Sequence, residues 1–438
     1  MRKLLPLFIL AISFNFYGQL AEDYYNKGFS KDESGDYQGA IQNYSKAIGL
    51  DTNFAKAYYT RGICRDKLGD KEGSVKDLTK AINLNHKSPK AYFVRGNYKY
   101  ELRDKEGAIQ DYSQAIELDP KSASAYYNRG NCKHELGDKE GALKDYSQAI
   151  ELDPVPAKTY YIRGVCKYEL GDKEGALKDF TKAIELNPKY EAVYHNRGIC
   201  KYELGDKGGA IQDYTKMIEL DSKNITAYYN RGACRDEIGA EEYAIQDYTK
   251  VIELDPKNAD AYYNRGNCKS QLKNYKGAIE DFNKVIGLDS NYMDAYYSRG
   301  SSKIELKNYA DAIKDFNKII QLDDNYPKAY YIRGICKSKS ADKEGAIQDY
   351  TKAINIDPKY DEAYSNRGLS KSALSDYKGA IEDFTKVIEL KPKNATAYYN
   401  RGVSKSILQD NDGACADWKK AVELGKDDAF EFIKKNCK

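Results

Sequence analysis

The sequence has little excess charge of either sign, few histidines and none of the common catalytic motifs. Its 70 Lys and Arg residues nearly balance 67 Asp and Glu residues, which gives a net charge of +3. A nucleic-acid-binding protein needs a basic surface that is not neutralised, so this balance argues against that class. The sequence contains no P-loop, GxSxG or HExxH motif and no CxxC pair. We therefore predict no enzymatic activity, no metal site and no cofactor.

Long apolar runs are also scarce, and the one that stands out lies at the N-terminus. Arg2 and Lys3 precede the stretch LLPLFILAISF, and Gly18 offers a small residue for cleavage. This order is typical of a secretory signal peptide, here residues 1–18, and the stretch is too short for a membrane span. We expect an exported protein, periplasmic or secreted, with no stable membrane insertion. A retained N-terminal strand or anchor is the alternative.

What the sequence does contain is a repeat. Glycine recurs every 34 residues, and we call these twelve positions the repeat glycines: Gly28, Gly62, Gly96, Gly130, Gly164, Gly198, Gly232, Gly266, Gly300, Gly334, Gly368 and Gly402. Tyr stands four residues before each of them, and Arg stands directly before eleven. A fixed period of this length indicates an array of small units that stack on copies of themselves.

One unit, residues 123–156, reads as two helices. ASAYYNRGNCKHEL and KEGALKDYSQAIEL each place apolar or small residues at helical spacing. Gly137 between them tolerates a left-handed conformation, and Asp138 can cap the second helix. Asp153 precedes a proline and therefore avoids helical geometry. Each unit is predicted to be a helix–turn–helix whose apolar face is buried only by stacking.

The pattern resembles the tetratricopeptide repeat, which has an aromatic residue, a Gly, an Ala, a second aromatic residue and a Pro in this order. One unit has Tyr126, Gly130, Ala142, Tyr146 and Pro154 at these places. The resemblance implies an all-α, right-handed α-solenoid superhelix that acts as a non-enzymatic interaction scaffold. Twelve repeats are predicted over 19–428: 21–54, 55–88, 89–122, 123–156, 157–190, 191–224, 225–258, 259–292, 293–326, 327–360, 361–394 and 395–428. The composition also resembles that of exported Bacteroidetes-like proteins.

In this family the first helix of each repeat lines a concave groove, which suggests where a partner would bind. The resemblance gives these candidate groove residues: Tyr100, Tyr127, His134, Tyr161, Tyr168, His195, Tyr202, Asn128 and Asn196. Tyr offers rigid contact area, and Asn can bond an extended peptide backbone. The alternative for the Tyr residues three before the repeat glycine is packing against the next repeat. We expect protein or peptide partners in cell-envelope assembly, with glycan or peptidoglycan binding as the alternative.

Charged residues also follow the repeat. We predict that each Arg before a repeat glycine pairs with an Asp, either within a repeat (Arg129 with Asp145) or across the junction (Asp145 with Arg163). The basic residues three after the glycine, such as Lys133, are expected to form a solvated face.

The nine cysteines fall into two groups. Seven lie two residues after a repeat glycine, too far apart for disulfides, and are predicted to be buried, inert thiols: Cys64, Cys132, Cys166, Cys200, Cys234, Cys268 and Cys336. Cys415 and Cys437 lie off the pattern. Residues 429–438 read as a C-terminal capping helix, which a Cys415–Cys437 disulfide would hold in place.

Overall fold

A computed structural model describes residues 5–84 and 88–437, with side chains from residue 17 onward. These residues form 25 α-helices and no strand. They fall into two compact units, unit 1 (residues 1–220) and unit 2 (residues 221–438). Unit 1 contains α1 (Leu5–Glu33), α2 (Tyr37–Leu50), α3 (Ala55–Lys67), α4 (Lys71–Leu84), α5 (Pro89–Glu101), α6 (Lys105–Leu118), α7 (Ala123–Glu135), α8 (Lys139–Leu152), α9 (Ala157–Glu169), α10 (Lys173–Leu186), α11 (Glu191–Glu203) and α12 (Lys207–Leu220). Unit 2 contains α13 (Ile225–Glu237), α14 (Glu241–Leu254), α15 (Ala259–Gln271), α16 (Tyr275–Leu288), α17 (Met293–Glu305), α18 (Tyr309–Leu322), α19 (Pro327–Lys339), α20 (Lys343–Ile356), α21 (Asp361–Ala373), α22 (Tyr377–Leu390), α23 (Ala395–Ile407), α24 (Asn411–Glu423) and α25 (Ala429–Asn436).

Each odd-numbered helix packs against the following even-numbered helix as a hairpin, and within each unit the hairpins stack in chain order. This is the all-α solenoid arrangement that the sequence predicts. The first helix, α1, runs through the predicted cleavage position at Gly18, while residues 1–4 of the predicted signal peptide lie outside the described residues. In the described part of the chain, no helix combines the length and apolar character that crossing a bilayer needs.

The turn inside each hairpin is set by a few residues, as α7 and α8 show. Gly137 has a φ of +88°, a left-handed conformation that costs glycine nothing. The Asp138 carboxylate then accepts a hydrogen bond of 2.9 Å from the backbone N–H of Gly141, which caps α8. A Cβ on Gly141 would lie 2.1 Å from Oδ2 of Asp138, so this second glycine makes room for the cap.

The hairpin core is built around the repeat glycine. A Cβ on Gly130 would lie 2.8 Å from the Tyr146 ring, so only glycine lets α8 approach α7 this closely. Cys132 is fully buried beside them, and burial raises the pKa of its thiol to about 11. The prediction of seven buried free thiols is confirmed: Cys64, Cys132, Cys166, Cys200, Cys234, Cys268 and Cys336.

A buried charge network recurs in eleven hairpins. The Arg129 guanidinium donates to both oxygens of Asp145, at 2.8 and 2.6 Å, and Nη1 also donates to Ser113 of the preceding hairpin at 3.1 Å. The predicted pair within a repeat is therefore confirmed, whereas the pair across the junction is wrong because Arg163 binds Asp179.

The expectation of a solvated basic face is also wrong. Lys133 lies 2.8 Å from Oδ2 of Asp145, whose side chain is only 5% exposed. The second basic residue pairs with the buried Asp in the same way in eleven repeats. In the first repeat, Lys31 pairs with the half-exposed Asp36 instead.

The last hairpin of unit 2 is covered by α25, which ends at Asn436, so Lys438 of the predicted cap lies outside the described residues. Phe432 of α25 packs on the Trp418 ring with their centroids 5.3 Å apart. Cys415 and Cys437 form a disulfide in this structure, with Cα atoms 5.7 Å apart. The pair links α24 to the residue that follows α25.

Candidate inner-face binding site

The odd-numbered helices form the inner face of each unit. Successive odd-numbered helices touch in unit 1 (α5 and α7, α9 and α11) and in unit 2 (α13 and α15, α15 and α17, α19 and α21, α21 and α23). Within the described ranges, no two even-numbered helices make a comparable contact. Since the odd-numbered side of a hairpin stack is the closer-spaced one, it is the concave side. All nine candidate groove residues lie on α5, α7, α9 and α11, and each is partly buried.

Three of the candidates form a polar ladder along this face, each bonded to a glutamate one repeat further on. The hydroxyl of Tyr100 donates to Glu135, Nε2 of His134 lies 3.0 Å from Glu169, and the hydroxyl of Tyr168 donates to Glu203 at 2.6 Å. Each glutamate also pairs with a lysine of the preceding repeat. These lysine pairs are Lys105–Glu135 (2.8 Å), Lys139–Glu169 (2.9 Å) and Lys173–Glu203 (3.0 Å).

The ladder shifts the ionisation of its members. The hydrogen bond to Glu135 raises the pKa of Tyr100 to about 12, because it favours the neutral phenol beside an anion. The hydrogen bonds from Lys105 and Tyr100 lower the pKa of Glu135 below its usual value. Hydrogen bonds from Tyr168 and Lys173 lower the pKa of Glu203 in the same way, which favours its carboxylate form. At neutral pH the ladder is thus a row of anions, each with a phenol or imidazole on one side and a lysine on the other.

The tyrosines three before the repeat glycine pack inward instead of standing free. Tyr127 contacts the Tyr146 ring at 6.1 Å between centroids, and Tyr161 contacts both Phe180 at 6.2 Å and Tyr190 at 5.1 Å. These rings therefore pack against aromatic neighbours within their own repeat, a contact that differs from the expected alternative of packing against the next repeat.

The two candidate asparagines join neighbouring repeats. Nδ2 of Asn196 donates to the hydroxyl of Tyr161 at 3.0 Å, and Nδ2 of Asn128 donates to Oδ1 of Asn97 at 2.9 Å. His195 occupies the tyrosine place on α11; its Nδ1 is buried without a hydrogen-bond partner, and burial lowers its pKa. Tyr202 is partly buried on the same helix.

A polar cavity of about 240 Å³ opens on the inner face of unit 1 between α5 and α7, lined by Asn97, Tyr100, Glu101, Tyr112, Asn128 and Asn131. Sequence reasoning missed Asn97 and Asn131, which stand directly after repeat glycines. The hydroxyl of Tyr112 donates to Oδ1 of Asn97 at 2.8 Å, and that of Tyr146 donates to Oδ1 of Asn131 at 3.0 Å. Their Nδ2 groups have no protein acceptor among the described residues. We call this site the asparagine cavity.

Clusters of metal-ligating side chains are absent from the described residues. Over residues 5–84 and 88–437, no three His, Cys, Asp or Glu side chains come together as metal ligands would. His86 lies outside the described residues. The asparagine cavity presents amide donors beside a carboxylate, which suits recognition of polar groups through hydrogen bonds.

Comparison with known proteins identifies the family. A model described as "TPR repeat" matches residues 33–64, 96–137, 237–272, 342–374 and 372–405. Two models described as "Tetratricopeptide repeat" match residues 123–154, 157–190 and 259–292, and residues 55–87, 192–224 and 294–326. No curated relative matches the chain.

Three solved structures with this fold illustrate the similarity. The C-terminal part of a TPR repeat-containing protein from Cytophaga hutchinsonii is 20% identical with a TM-score of 0.50, and the match covers 55% of this chain and 98% of that one. YrrB, described as a TPR protein with an unusual peptide-binding site, is 26% identical with a TM-score of 0.40. That match covers 42% of this chain and 95% of YrrB. MamA from Desulfovibrio magneticus RS-1 is 25% identical with a TM-score of 0.37. That match covers 39% of this chain and 96% of the MamA chain.

The family matches together extend from residue 33 to residue 405 and cover most of the chain. They agree with the stacked helical hairpins and with the repeat glycine at every hairpin crossing. The chain therefore belongs to the tetratricopeptide repeat family.

Proposed function

We propose that this protein is a non-enzymatic scaffold that holds an extended segment of a partner protein on the inner face of unit 1. Family membership supports the general role, because tetratricopeptide repeats bind protein or peptide partners. The asparagine cavity carries the specific proposal. Asn97 and Asn131 occupy equivalent places in successive repeats, and each has its carbonyl bonded to a tyrosine and its N–H donors available. Such donors suit the backbone carbonyls of an extended chain.

The inward packing of the tyrosines favours a peptide over a glycan. Carbohydrate recognition by stacking needs open ring faces, whereas Tyr161 packs against the rings of both Phe180 and Tyr190. We propose further that the protein is exported and works in cell-envelope assembly. The N-terminal sequence supports export, as does the Cys415–Cys437 pair, since disulfides persist in oxidising compartments.

The test is quantitative capture of partners from the envelope fraction of the source cell, comparing wild type with an Asn97→Asp, Asn131→Asp double variant. Aspartate keeps the acceptor for each tyrosine hydroxyl but removes the amide donors. Losing two hydrogen bonds to a partner, at about 1 kcal/mol each, predicts at least a tenfold weaker capture. The same preparation, analysed by mass spectrometry, should give a mature N-terminus just after Gly18.

Asn267 supplies the matched control, because it follows a repeat glycine in unit 2. An Asn267→Asp variant should capture the same partner as wild type. Equal capture by the double variant would contradict the asparagine cavity as the site. Binding of soluble glycan fragments that the double variant loses, with no protein captured, would support the glycan alternative instead.

A further inference from the structure

The residue that precedes each odd-numbered helix often carries an aromatic ring that fills a gap between hairpins. These loop rings are Phe54, Tyr190, Tyr292, Tyr326 and Tyr360. Four of them pack at a tilt against the tyrosine three before the preceding repeat glycine, with centroids 4.9 to 5.3 Å apart. Tyr326 packs in the same apolar cluster as Tyr297. An aromatic side chain from the loop therefore occupies the space beside this tyrosine in several repeats.

In unit 1 the loop ring is missing at Ser88, Ser122 and Pro156. Beside two of these residues, Ser88 and Pro156, a cavity lies next to the tyrosine. Pro156 takes the loop position next to Tyr127, where a cavity of about 160 Å³ is also lined by Ala123, Ser124, Ala149, Asp153, Lys158 and Thr159. Ser88 takes it next to Tyr59, where a cavity of about 330 Å³ is also lined by Ala55, Lys56, Ala81, Lys90 and Ala91. Every residue of the second cavity is equivalent to one of the first, two repeats away. We call these cavities the ring sockets.

The ring sockets have the size and backbone geometry of the filled positions. An apolar protein cavity of about 150 Å³ accommodates benzene, so the smaller socket can hold one aromatic ring. Pro156 has φ −73° and ψ 109°, close to φ −80° and ψ 85° at Tyr190. Ser88 has φ −106° and ψ 95°, close to φ −103° and ψ 92° at Tyr326. What distinguishes the sockets is therefore the missing side chain and not a different loop.

The lysine at the rim of a socket is compatible with a bound ring. Lys158 Nζ lies 5.7 Å from the centroid of the Tyr127 ring. In a filled position, Lys56 lies 4.7 Å from the centroid of the Tyr25 ring, while the Phe54 ring also packs against Tyr25 with centroids 5.3 Å apart. Cation and ring therefore share the same tyrosine, and a ring in the socket would gain attraction from the nearby cation.

A hydroxyl partner is also in place in the socket beside Tyr127. In a filled position, the hydroxyl of Tyr292 donates to Oδ1 of Asp260 at 3.2 Å. Ser124 occupies the place equivalent to Asp260, and its hydroxyl can accept from a phenol. The socket thus matches a tyrosine more completely than a phenylalanine.

We propose that the ring sockets bind tyrosine side chains of a partner protein, which supply in trans the ring that Tyr190 supplies within the chain. Aromatic anchors that insert into preformed pockets carry much of the energy of protein interfaces. The sockets are distinct from the asparagine cavity, so this proposal goes beyond the proposed function and is tested without the partner.

The test titrates the full-length protein, labelled with ¹³C at alanine methyl groups, with N-acetyl-L-tyrosinamide as the probe. We expect saturable shifts of Ala149 in one socket and Ala81 in the other, with a Kd of about 1 mM. Pro156→Tyr should fill the first socket and abolish the Ala149 shift while that of Ala81 remains. Ser88→Tyr should do the reverse. N-acetyl-L-leucinamide should bind at least tenfold more weakly.

A reverse variant separates socket binding from general effects of mutation. Tyr190→Ser should open a third socket beside Tyr161 and create a new probe-dependent shift at Ala183, the equivalent of Ala149. Unchanged Ala149 shifts in Pro156→Tyr, equal binding of the leucine probe, or no saturable shift in wild type would each overturn the proposal. These results leave the asparagine cavity untouched, because its test depends on Asn97 and Asn131.

Discussion

The inner faces of the two units differ at the residue four after the repeat glycine. In unit 1, Tyr100 and Tyr168 reach glutamates of the next repeat through their hydroxyls. In unit 2 the same place is Ser in four of six repeats, with Asp236 and Ile304 as the exceptions. Ser270 and Ser372 lie 3.1 and 3.3 Å from serine hydroxyls of the next repeat. At this position unit 1 therefore presents rings and carboxylates, whereas four repeats of unit 2 present serine hydroxyls.

The turns inside the hairpins differ as well. The left-handed turn position is glycine in five repeats of unit 1, with Arg103 as the exception. In unit 2 only Gly239 follows this rule, and the remaining turns place Lys273, Lys307, Ala341, Ser375 and Gln409 at positive φ. A side chain at positive φ costs about 1–2 kcal/mol. The buried Arg–Asp network, in contrast, is the same in both units, so the difference lies in surfaces and turns and not in the core.

The largest effect should come from the shared core and should be equal in the two units. Asp145→Asn in unit 1 and Asp281→Asn in unit 2 each leave a buried arginine and lysine without their carboxylate. Removing one partner of a buried ionic network costs about 3–5 kcal/mol. Hydrogen exchange of the affected hairpins, α7–α8 and α15–α16, should report this loss of local stability.

An exposed ion pair provides the control for that measurement. Lys182 and Glu185 pair at 3.0 Å on the outside of α10, where the glutamate side chain is 58% exposed. Glu185→Gln should cost at most about 1 kcal/mol. A clearly smaller loss at Asp281 than at Asp145 would mean that the two units do not share one core architecture.

A second prediction concerns the ladder of unit 1. The pKa of Tyr100 is about 12 because its hydroxyl donates a hydrogen bond to the Glu135 carboxylate. The neutral phenol therefore stabilises the fold fully below about pH 10, and this contribution is lost as the pH rises through about 12. Glu135 acts in the opposite sense, since its lowered pKa contributes stability above about pH 4.5 that is lost as the pH falls further.

Glu135→Gln should bring the pKa of Tyr100 down toward its ordinary value near 10. The measurement is an NMR titration of protein labelled with ¹³C at tyrosine Cζ, with Tyr100→Phe to assign the signal. Tyr168, bonded to Glu203, should keep its pKa of about 12 in this variant. An unchanged Tyr100 signal would show that burial, and not the glutamate, controls its ionisation.

The sequence predicts the scaffold well because the scaffold is periodic. Gly130, Ala142 and Tyr146 recur at fixed offsets, so one hairpin crossing implies the others, and Gly137 with Asp138 marks the turn and cap. The seven core cysteines could be assigned as buried thiols because their spacing follows the repeat glycine. Periodicity also predicted an Arg–Asp pair, but only the structure shows that Arg163 pairs with Asp179 and not with Asp145.

The candidate site was harder to predict because it depends on contacts between repeats. Whether Tyr161 faces a ligand or a neighbour is decided by Tyr190, the loop residue before α11, and by Asn196 of the next repeat. The role of Lys133 follows from the burial of Asp145, which the alternation of charges does not reveal. Asn97 and Asn131 could have been found from the sequence, since they stand beside repeat glycines at a position that varies while the scaffold stays constant.

The smallest predicted effect tests the difference between the turns directly. Ala341 has φ +69° between α19 and α20, and Gly137 has φ +88° between α7 and α8. Ala341→Gly should stabilise its hairpin by about 1 kcal/mol, and Gly137→Ala should destabilise its own by a similar amount, as hydrogen exchange can measure. Gly287→Ala inside α16, where the added Cβ meets nothing within 4 Å, should instead stabilise by up to about 1 kcal/mol. The same Gly-to-Ala change thus reverses sign with backbone conformation, and if Ala341→Gly gave no gain, the non-glycine turns of unit 2 would not be strained.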